Sequence, residues 1–152
     1  MLELATPADL AAVNRLARQV HGLHVSWRPD IFRMPEGDIY SEERFMECVR
    51  AREMYVAKLN GTVVGYVLIK FRERDIPSLV TKKVLLLDEL CVEDSLRGHG
   101  LGTAMMEDIH ALARAFGCDE MRLGVYPQND EAVGFYQKCG FTIRSIDMQR
   151  KV

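Results

Sequence analysis

A glycine-rich segment in the second half of the chain has the composition of an anion-binding turn. Residues 97–103 read Arg-Gly-His-Gly-Leu-Gly-Thr and lie between a predicted strand and the predicted start of a helix. Free backbone N–H groups and the helix dipole favour phosphate at such a position, and glycine lets the phosphate approach the backbone. The segment lacks the Lys-Ser/Thr ending of a P-loop, and its glycine spacing differs from a dinucleotide fingerprint. A turn that only connects two elements would have the same composition.

Two adjacent acids, Asp88 and Glu89, interrupt an otherwise apolar predicted strand over residues 84–92. An amine with a pKa of about 10 is mostly protonated at neutral pH, so it must lose a proton before it acts as a nucleophile. A carboxylate accepts such a proton directly or through water. Strand alternation places the two acids on opposite faces, so we expect one of them to point into a site. The other is expected to face solvent or to form a salt bridge.

Aromatic and titratable residues gather in an irregular segment between the first two predicted helices. Residues 21–41 contain two histidines, a tryptophan, prolines and glycines, a mixture too irregular for a strand and too long for a plain connector. The mixture suits the wall of a binding site, and a loop pinned by buried Trp27 and Phe32 is the alternative. His21 and His24 have no third ligand at metal-binding spacing, so we expect no metal site.

Composition restricts the class of protein. The chain has 152 residues, of which 48% are hydrophobic and 28% charged, and these values predict one globular domain over residues 1–152. A net charge of -2 disfavours a nucleic-acid partner. No apolar segment is long enough to cross a membrane, and no signal peptide is evident. The widely spaced Cys48, Cys91, Cys118 and Cys139 predict free thiols and a cytoplasmic location.

Periodicity and turn residues predict an α/β (α+β) domain with a mixed sheet. A capping Thr6 and Pro7 start the first helix, which the apolar stripe extends to about Val20. Asn60-Gly61 between two β-rich runs predicts a hairpin, because both turn residues need positive φ. The predicted elements are strand 2–4, helix 7–20, helix 42–51, strands 54–59 and 62–69, strand 84–92, helix 100–116, strand 121–126, helix 129–139 and one or two closing strands within 141–152.

Two motifs together resemble the GNAT superfamily of N-acetyltransferases. One is the strand at residues 87–92, followed by an R-x-x-G-x-G spacing at 97–102. The other is residues 129–141, which match N-x-x-A-x-x-F-Y-x-x-x-G-F. The resemblance implies a mixed, mostly antiparallel sheet of six to seven strands that splays between strands 4 and 5, flanked by about four helices. It also implies that acetyl-CoA is the cofactor and that no metal is required. A homodimer is compatible with the resemblance.

The resemblance assigns the donor site. Backbone amides of the Gly-rich turn hold the pyrophosphate, and the fourth strand pairs with the pantetheine arm if its edge is free or bulged. Asn129 contacts that arm, caps its helix, or does both. The residues expected at the cofactor are Leu90, Cys91, Val92, Arg97, Gly98, His99, Gly100, Leu101, Gly102, Thr103, Asn129, Ala132 and Tyr136.

The resemblance also assigns the catalytic groups. Tyr136 matches the tyrosine that protonates the departing CoA thiolate, with core packing as its alternative role. Asp88 is our first candidate for assisting amine deprotonation, and Glu89 is the second. The residues expected to contact the acceptor are His24, Trp27, Phe32, Asp88 and Tyr126. Members that acetylate ribosomal proteins carry a glutamate on the fifth strand, where this chain has Gly124, and this difference weakens a protein N-terminus as the substrate.

The expected function is acetyl transfer from acetyl-CoA to a primary amine of a small molecule by direct attack in a ternary complex. A polyamine, an amino acid and an antibiotic-like amine all fit. The alternatives are a protein lysine or N-terminal acetyltransferase and a non-catalytic acyl-CoA-binding regulatory module. No nucleic-acid or membrane partner is expected.

Overall fold

The computed structural model describes all 152 residues. Five strands and four α-helices follow the predicted order as far as residue 138. The strands are β1 (Leu2–Leu4), β2 (Met54–Leu59), β3 (Thr62–Glu73), β4 (Lys83–Val92) and β5 (Glu120–Leu123). The helices are α1 (Leu10–Trp27), α2 (Glu42–Arg50), α3 (Leu101–Ala115) and α4 (Asp130–Lys138), and short 3-10 turns cover Pro7–Asp9 and Asp94–Leu96. None of these helices combines the length and apolar character that crossing a membrane requires.

The strands form one sheet in the order β1-β2-β3-β4-β5. The first four are antiparallel neighbours, and β5 is parallel to β4. The predicted hairpin at Asn60-Gly61 is confirmed, with φ values of 50° and 79° at the two residues. The sheet therefore has five strands, and the expectation of six to seven is not met. Residues 141–152 form no strand: the Phe141 N–H donates to the carbonyl oxygen of Tyr136 in the preceding helix, and residues 142–152 form no backbone–backbone hydrogen bond.

A β-bulge interrupts β4 at the acid pair. Leu68 of β3 is paired with Glu89, but the next residue, Ile69, is paired with Leu87, so Asp88 has no partner on β3. The extra residue shifts the alternation of side chains along β4. Leu85 and Leu87 pack on one face before the bulge, whereas Cys91 packs on the other face after it.

The sheet separates two hydrophobic clusters. On one face, α1 and α2 pack against strand residues that include Tyr66, Leu68 and Cys91. On the other face, α3 packs against residues that include Val67 and Leu85, and α4 adds partly buried side chains. We call these the α1 face and the α3 face. Burial of both faces removes apolar surface from water and fixes the register of the strands.

Helix α1 continues to Trp27, so the predicted end near Val20 is wrong. Its stripe proceeds from Val20 through His24 to Trp27 at spacings of four and three residues, which keeps these side chains on one helix face. Gly22 costs only about 1 kcal/mol relative to alanine, and packing outweighs that cost. The helix ends before Arg28 because Pro29 disfavours helical dihedrals in the preceding residue. The irregular segment is therefore residues 28–41.

Candidate active site

The Gly-rich turn exposes backbone donors at the start of α3. Gly98 and Gly100 have φ values of 77° and 83°, and Gly100 is the N-cap of the helix. A Cβ added at either position would meet no atom within 4 Å, so crowding does not require glycine there. The left-handed backbone conformation does. The backbone N–H groups of residues 98–103 donate to no acceptor in the chain. Such a row of free donors at a helix N-terminus can bind a phosphate group.

Neighbouring side chains fix the position of this turn. Arg97 is ion-paired with Asp94 at 2.8 Å, and its Nε lies 3.4 Å from the carbonyl oxygen of Val92 at the end of β4. His99 Nδ1 lies 2.9 Å from the carbonyl oxygen of Arg97. A Cβ added to Gly102 would lie 3.4 Å from Cζ of Phe135, so the absence of a side chain there lets α4 pack closely on α3.

The edge of β4 that faces β5 is free beyond the bulge. Pairing with β5 ends at Leu87 and Leu123, and residues 88–92 have no partner on that side. An extended amide-containing ligand can pair with such an edge as an added strand. Leu90 and Val92 pack partly on the α3 face. Cys91 is buried on the α1 face, where burial raises the pKa of its thiol to about 12, so the thiol stays protonated and is a poor nucleophile.

Tyr136 lies on α4. Asn129 caps this helix, with its Oδ1 accepting a hydrogen bond of 3.1 Å from the backbone N–H of Ala132. The ring of Tyr136 packs between Phe135 and Phe141, at centroid distances of 5.4 and 5.8 Å. Its hydroxyl has no hydrogen-bond partner in the chain, and burial raises its pKa to about 12. The phenol is therefore protonated at neutral pH and can donate a proton.

The two acids lie on the same face of the sheet, so the expectation that they face opposite ways is wrong. Asp88 forms an ion pair of 3.0 Å with Lys70, whose neighbours Ile69 and Phe71 pack on the α3 face. Glu89 accepts a hydrogen bond of 2.6 Å from the hydroxyl of Tyr66, a residue of the α1 face. The bulge accounts for this, because its extra residue cancels the alternation between positions 88 and 89.

Tyr40 belongs to the surroundings of Glu89. Its ring packs edge-on against Tyr66 at 6.4 Å. Burial raises the pKa of the Tyr40 hydroxyl, and the nearby Glu89 carboxylate raises it further. Asn14 of α1 holds Tyr40 in place through two hydrogen bonds to its backbone, of 2.8 and 3.0 Å. Helix α1 thereby fixes the end of the irregular segment against the acid.

The predicted acceptor residues form an aromatic cluster at the end of α1. His24 stacks on Phe32 at 5.2 Å and lies 5.9 Å from Trp27. Tyr126, in the loop after β5, packs edge-on against Phe32 at 5.6 Å and lies 6.5 Å from His24. Arg28 places its guanidinium 5.5 Å from the Tyr126 ring centre. The structure thus brings together side chains from two distant parts of the sequence, residues 24–32 and Tyr126.

The aromatic cluster lies close enough to Glu89 for the two to interact electrostatically. Burial lowers the pKa of His24, the neighbouring His21 lowers it further, and the Glu89 carboxylate acts in the opposite direction. His24 is therefore neutral at pH 7. Arg28 already lies over the Tyr126 ring, and the other aromatic side chains lie within electrostatic range of the Glu89 carboxylate, an arrangement that attracts a cation.

Four residues of this site were not predicted from the sequence. Glu89 is hydrogen-bonded to Tyr66, and Asp88 is ion-paired with Lys70. Tyr40 packs against Tyr66, and Asn14 positions Tyr40. The register of β3 against β4 identifies Tyr66 and Lys70, but that register depends on a bulge that alternation does not reveal. Asn14 gives no signal, because a polar residue on a helix ordinarily faces solvent.

Comparison with known proteins gives a family match over most of the chain. The model of the acetyltransferase (GNAT) family matches residues 20–141. The chain is 29% identical to a mouse thialysine N-epsilon-acetyltransferase over 134 residues, which cover 87% of this chain and 72% of the relative. It is 28% identical to an N-alpha-acetyltransferase of Sulfolobus acidocaldarius over 148 residues, which cover 92% of this chain and 78% of the relative.

Solved structures show the same fold. A mutant of the BH1408 protein from Bacillus halodurans superposes with a TM-score of 0.95 at 29% identity, covering 100% of this chain and 99% of the other. The aminoglycoside N-acetyltransferase AAC(6')-Iy in complex with CoA superposes with a TM-score of 0.70 at 17% identity, over the full length of both chains. This chain belongs to the acetyltransferase (GNAT) family and is an acetyl-CoA-dependent N-acetyltransferase.

Proposed function

We propose that the protein acetylates a primary amine of a small cationic molecule, which attacks acetyl-CoA directly in a ternary complex. One observation carries the proposal. The Glu89 carboxylate lies on the α1 face, beside the bulge where β4 begins to offer a free edge, and within electrostatic range of His24 in the aromatic cluster. A proton acceptor, a cation-binding wall and a donor-binding edge therefore meet at one place in the fold.

The free groups of the chain fit the parts of acetyl-CoA. Backbone N–H groups of residues 98–103 suit the pyrophosphate, and the edge at residues 88–92 suits the amides of the pantetheine arm. Bound acetyl-CoA supplies the acetyl group as a thioester. A backbone N–H of the free edge is placed to stabilise negative charge on the carbonyl oxygen of that thioester. The hydrogen bond between Asn129 and Ala132 caps α4, the helix that carries Tyr136.

Glu89 is the better candidate for taking the amine proton. Its Oε2 accepts the hydrogen bond from Tyr66, and its Oε1 has no partner in the chain, so one oxygen is held and the other is free. Asp88 is bound to Lys70 on the same face, and that cation competes with an ammonium group for its carboxylate. We therefore assign deprotonation to Glu89 and a supporting electrostatic role to Asp88.

Tyr136 completes the reaction by protonating the leaving thiolate. Its hydroxyl is free of other hydrogen bonds, and its pKa of about 12 keeps it protonated at neutral pH. A thiolate is a modest base, so a correctly positioned phenol is a sufficient acid. A protonated amine loses two protons in the reaction. Glu89 accepts the first before attack and releases it to solvent; the second leaves the nitrogen after the C–N bond forms and replaces the proton that Tyr136 gives to the thiolate as the C–S bond breaks.

The aromatic cluster defines the acceptor class. Ammonium groups bind over aromatic faces, and Trp27, Phe32 and Tyr126 supply such faces near a carboxylate. Names of relatives support small amines as well, because thialysine is a small-molecule amine. Gly124 leaves the loop after β5 without the glutamate that members acting on ribosomal proteins carry.

A mass-spectrometric panel tests the proposal. Purified protein and acetyl-CoA are incubated with polyamines, lysine-like amino acids, aminoglycosides, a lysine-containing peptide and a peptide with a free N-terminus. The expected result is the mass of one acetyl group added to a small amine, with kcat/KM well above that for either peptide. Faster acetylation of a peptide contradicts the small-molecule assignment. Tight CoA binding without acetylation of any amine contradicts catalysis and indicates a regulatory module.

A further inference from the structure

Arg28 follows the last residue of α1 and lies on the aromatic cluster. Its guanidinium carbon is 5.5 Å from the centre of the Tyr126 ring. Its Nε and Nη2 donate to the two carboxylate oxygens of Asp30, at 2.9 and 2.8 Å, and Nη2 also donates to Gln149 at 3.1 Å. A planar guanidinium that is stacked on a ring and bonded along one edge has a fixed orientation.

Another part of this guanidinium is free. Arginine has five N–H donors, and Arg28 uses three of them on Asp30 and Gln149. The two N–H groups of Nη1 have no acceptor in the chain. The side chain is only 16% exposed, so the positive charge is largely covered. Two unused donors on a covered cation favour an anionic acceptor, and a carboxylate is the common one.

Glu89 and Arg28 place opposite charges on two sides of the aromatic cluster. Burial lowers the pKa of His24, and the Glu89 carboxylate acts in the opposite direction. The hydrogen bond to Asp30 raises the pKa of Arg28, and Glu89 is not among the groups that act on it. Tyr126 links the two sides, because its ring centre is 6.5 Å from His24 and 5.5 Å from the guanidinium carbon. A ligand that spans the cluster therefore meets a carboxylate at one end and a guanidinium at the other.

We propose that Arg28 binds a carboxylate of the acceptor, so that the preferred substrates are α-amino acids with a second amino group at the end of the side chain. The side-chain amine reaches Glu89, and the carboxylate accepts hydrogen bonds from Nη1 of Arg28. The side-chain nitrogen then forms the new C–N bond as the C–S bond of the thioester breaks, with the proton transfers given above. This inference rests on the proposed function, because it names the class of amine that the same site accepts.

Asp30 gives such an amino acid a second partner. Its bond to Arg28 neutralises part of the guanidinium charge, so an isolated carboxylate would gain less from binding there. An α-amino acid, however, carries an ammonium group beside its carboxylate. The side chain of Asp30 is 44% exposed, so it can attract that ammonium while Arg28 donates to the carboxylate. The Arg28–Asp30 pair is thus complementary in charge to a zwitterion.

Lysine and cadaverine test the proposal as a matched pair of acceptors, because cadaverine is lysine without its carboxyl group. The kcat/KM of the wild type is expected to be at least about tenfold higher for lysine, the usual effect of a hydrogen bond to a charged group. Fragmentation mass spectrometry of acetylated lysine is expected to locate the acetyl group on the side-chain nitrogen. A kcat/KM for lysine that is equal to or below that for cadaverine overturns the proposal, as does acetylation of the α-nitrogen.

Arg28→Gln tests the residue itself. We expect kcat/KM to fall at least about tenfold for lysine and less than about threefold for cadaverine, so that the preference disappears. Arg33→Gln is the matched control, because Arg33 is an exposed arginine of the same segment, and it is expected to leave both values unchanged. Equal losses for the two acceptors in Arg28→Gln indicate general damage to the cluster and contradict the carboxylate contact.

The same measurements separate failure of this inference from failure of the proposed function. Acetylation of cadaverine and lysine with equal efficiency supports the proposed function and overturns the role of Arg28. Absence of acetylation of every small amine overturns both. A preference for lysine that Arg28→Gln abolishes and Arg33→Gln retains is the result expected if Arg28 selects the carboxylate.

Discussion

The hydroxyl of Tyr66 donates a hydrogen bond of 2.6 Å to Oε2 of Glu89. Burial raises the pKa of the Tyr66 hydroxyl, and the adjacent carboxylate raises it further, so the phenol remains the donor across the whole working pH range. The bond joins β3 to β4 immediately after the bulge. It fixes one oxygen of Glu89 and leaves the other available to a substrate.

Replacing Glu89 with glutamine removes the proposed proton acceptor while keeping the hydrogen bond from Tyr66. We expect kcat to fall about 10²- to 10⁴-fold, the usual contribution of a positioned general base. Steady-state kinetics with the best amine of the panel measures this loss, and calorimetry checks that acetyl-CoA still binds. Tyr66→Phe keeps the carboxylate and is expected to cost less. A Glu89→Gln variant with wild-type kcat excludes this residue as the base.

The Asp88→Asn variant tests the supporting role of the first acid. Asp88 and Lys70 are about one-third exposed, so loss of their ion pair is expected to change the unfolding free energy by less than about 1 kcal/mol. We expect kcat to fall less than about tenfold. Chemical denaturation and kinetics measure the two effects. If Asp88→Asn impairs kcat more than Glu89→Gln, the assignment of the two acids is reversed.

Tyr136→Phe removes the proposed acid with almost no change in shape. We expect kcat to fall about 10²- to 10⁴-fold, while the dissociation constant for acetyl-CoA stays unchanged. Tyr55→Phe is the matched control, because the Tyr55 hydroxyl is buried and has no hydrogen-bond partner. This control should retain full activity. Unchanged turnover in Tyr136→Phe would refute the acid role.

Gly100→Ala tests whether the left-handed turn before α3 binds acetyl-CoA. The substitution forces alanine to a φ of 83°, which costs about 1–2 kcal/mol. We expect relaxation of the turn to disperse its free N–H groups and to weaken acetyl-CoA binding about tenfold. Gly117→Ala imposes similar strain at a φ of 68°, at the other end of α3, and should leave affinity unchanged. Equal affinities of the two variants for acetyl-CoA would show that the turn does not hold the cofactor.

His24 predicts a pH dependence of acceptor binding. Its pKa lies below the ordinary value of 6.5, mainly because of burial, so the ring is neutral at pH 7 and becomes charged only in more acidic solution. A charged ring repels a cationic amine, so the KM for the amine should rise as the pH falls from about 7 to 5. His24→Phe keeps the aromatic surface and should lack most of this rise. Identical KM profiles would contradict the placement of His24 beside the acceptor.

Stability provides a second measurement on the same variant. Below pH 6.5 the unfolded chain binds a proton at His24 more readily than the folded chain, because the folded pKa is lowered. The unfolding free energy therefore decreases as the pH falls through this range. His24→Phe should show a smaller decrease when urea unfolding is compared at pH 7 and pH 5.

The sequence predicted the parts of the fold that local chemistry determines. Asn60 and Gly61 form the expected hairpin turn because few other residues tolerate positive φ at both positions. Gly98 and Gly100 mark the turn before α3 for the same reason. The sequence pattern ends α1 too early because Gly22 and two histidines weaken the helical periodicity. Tertiary packing of His24 and Trp27 stabilises the additional turns.

Features that depend on distant partners were not predictable in this way. Simple alternation along a strand would place Asp88 and Glu89 on opposite faces of the sheet. Only the pairing of β3 with β4 reveals the bulge that places both on one face. The closing strands expected within residues 141–152 depend on pairing with a distant edge, and residues 142–152 form no backbone hydrogen bond with any strand of the chain. Local pattern thus indicated candidate residues such as Asp88 and Glu89, while register determined which side chains lie together.

The division of the core by the sheet has a consequence for the evolution of substrate choice. Leu101 of the donor turn and Tyr136 pack on the cluster of the α3 face, whereas Glu89 is held by Tyr66 of the α1 face, and the aromatic cluster belongs to neither core. We therefore expect changes in residues 28–39, a range that leaves the buried Tyr40 beside Glu89 intact, to alter acceptor choice more than delivery of the acetyl group. A library of variants confined to that segment should yield enzymes that accept new amines and keep their affinity for acetyl-CoA. The fold is therefore a suitable starting point for directed evolution.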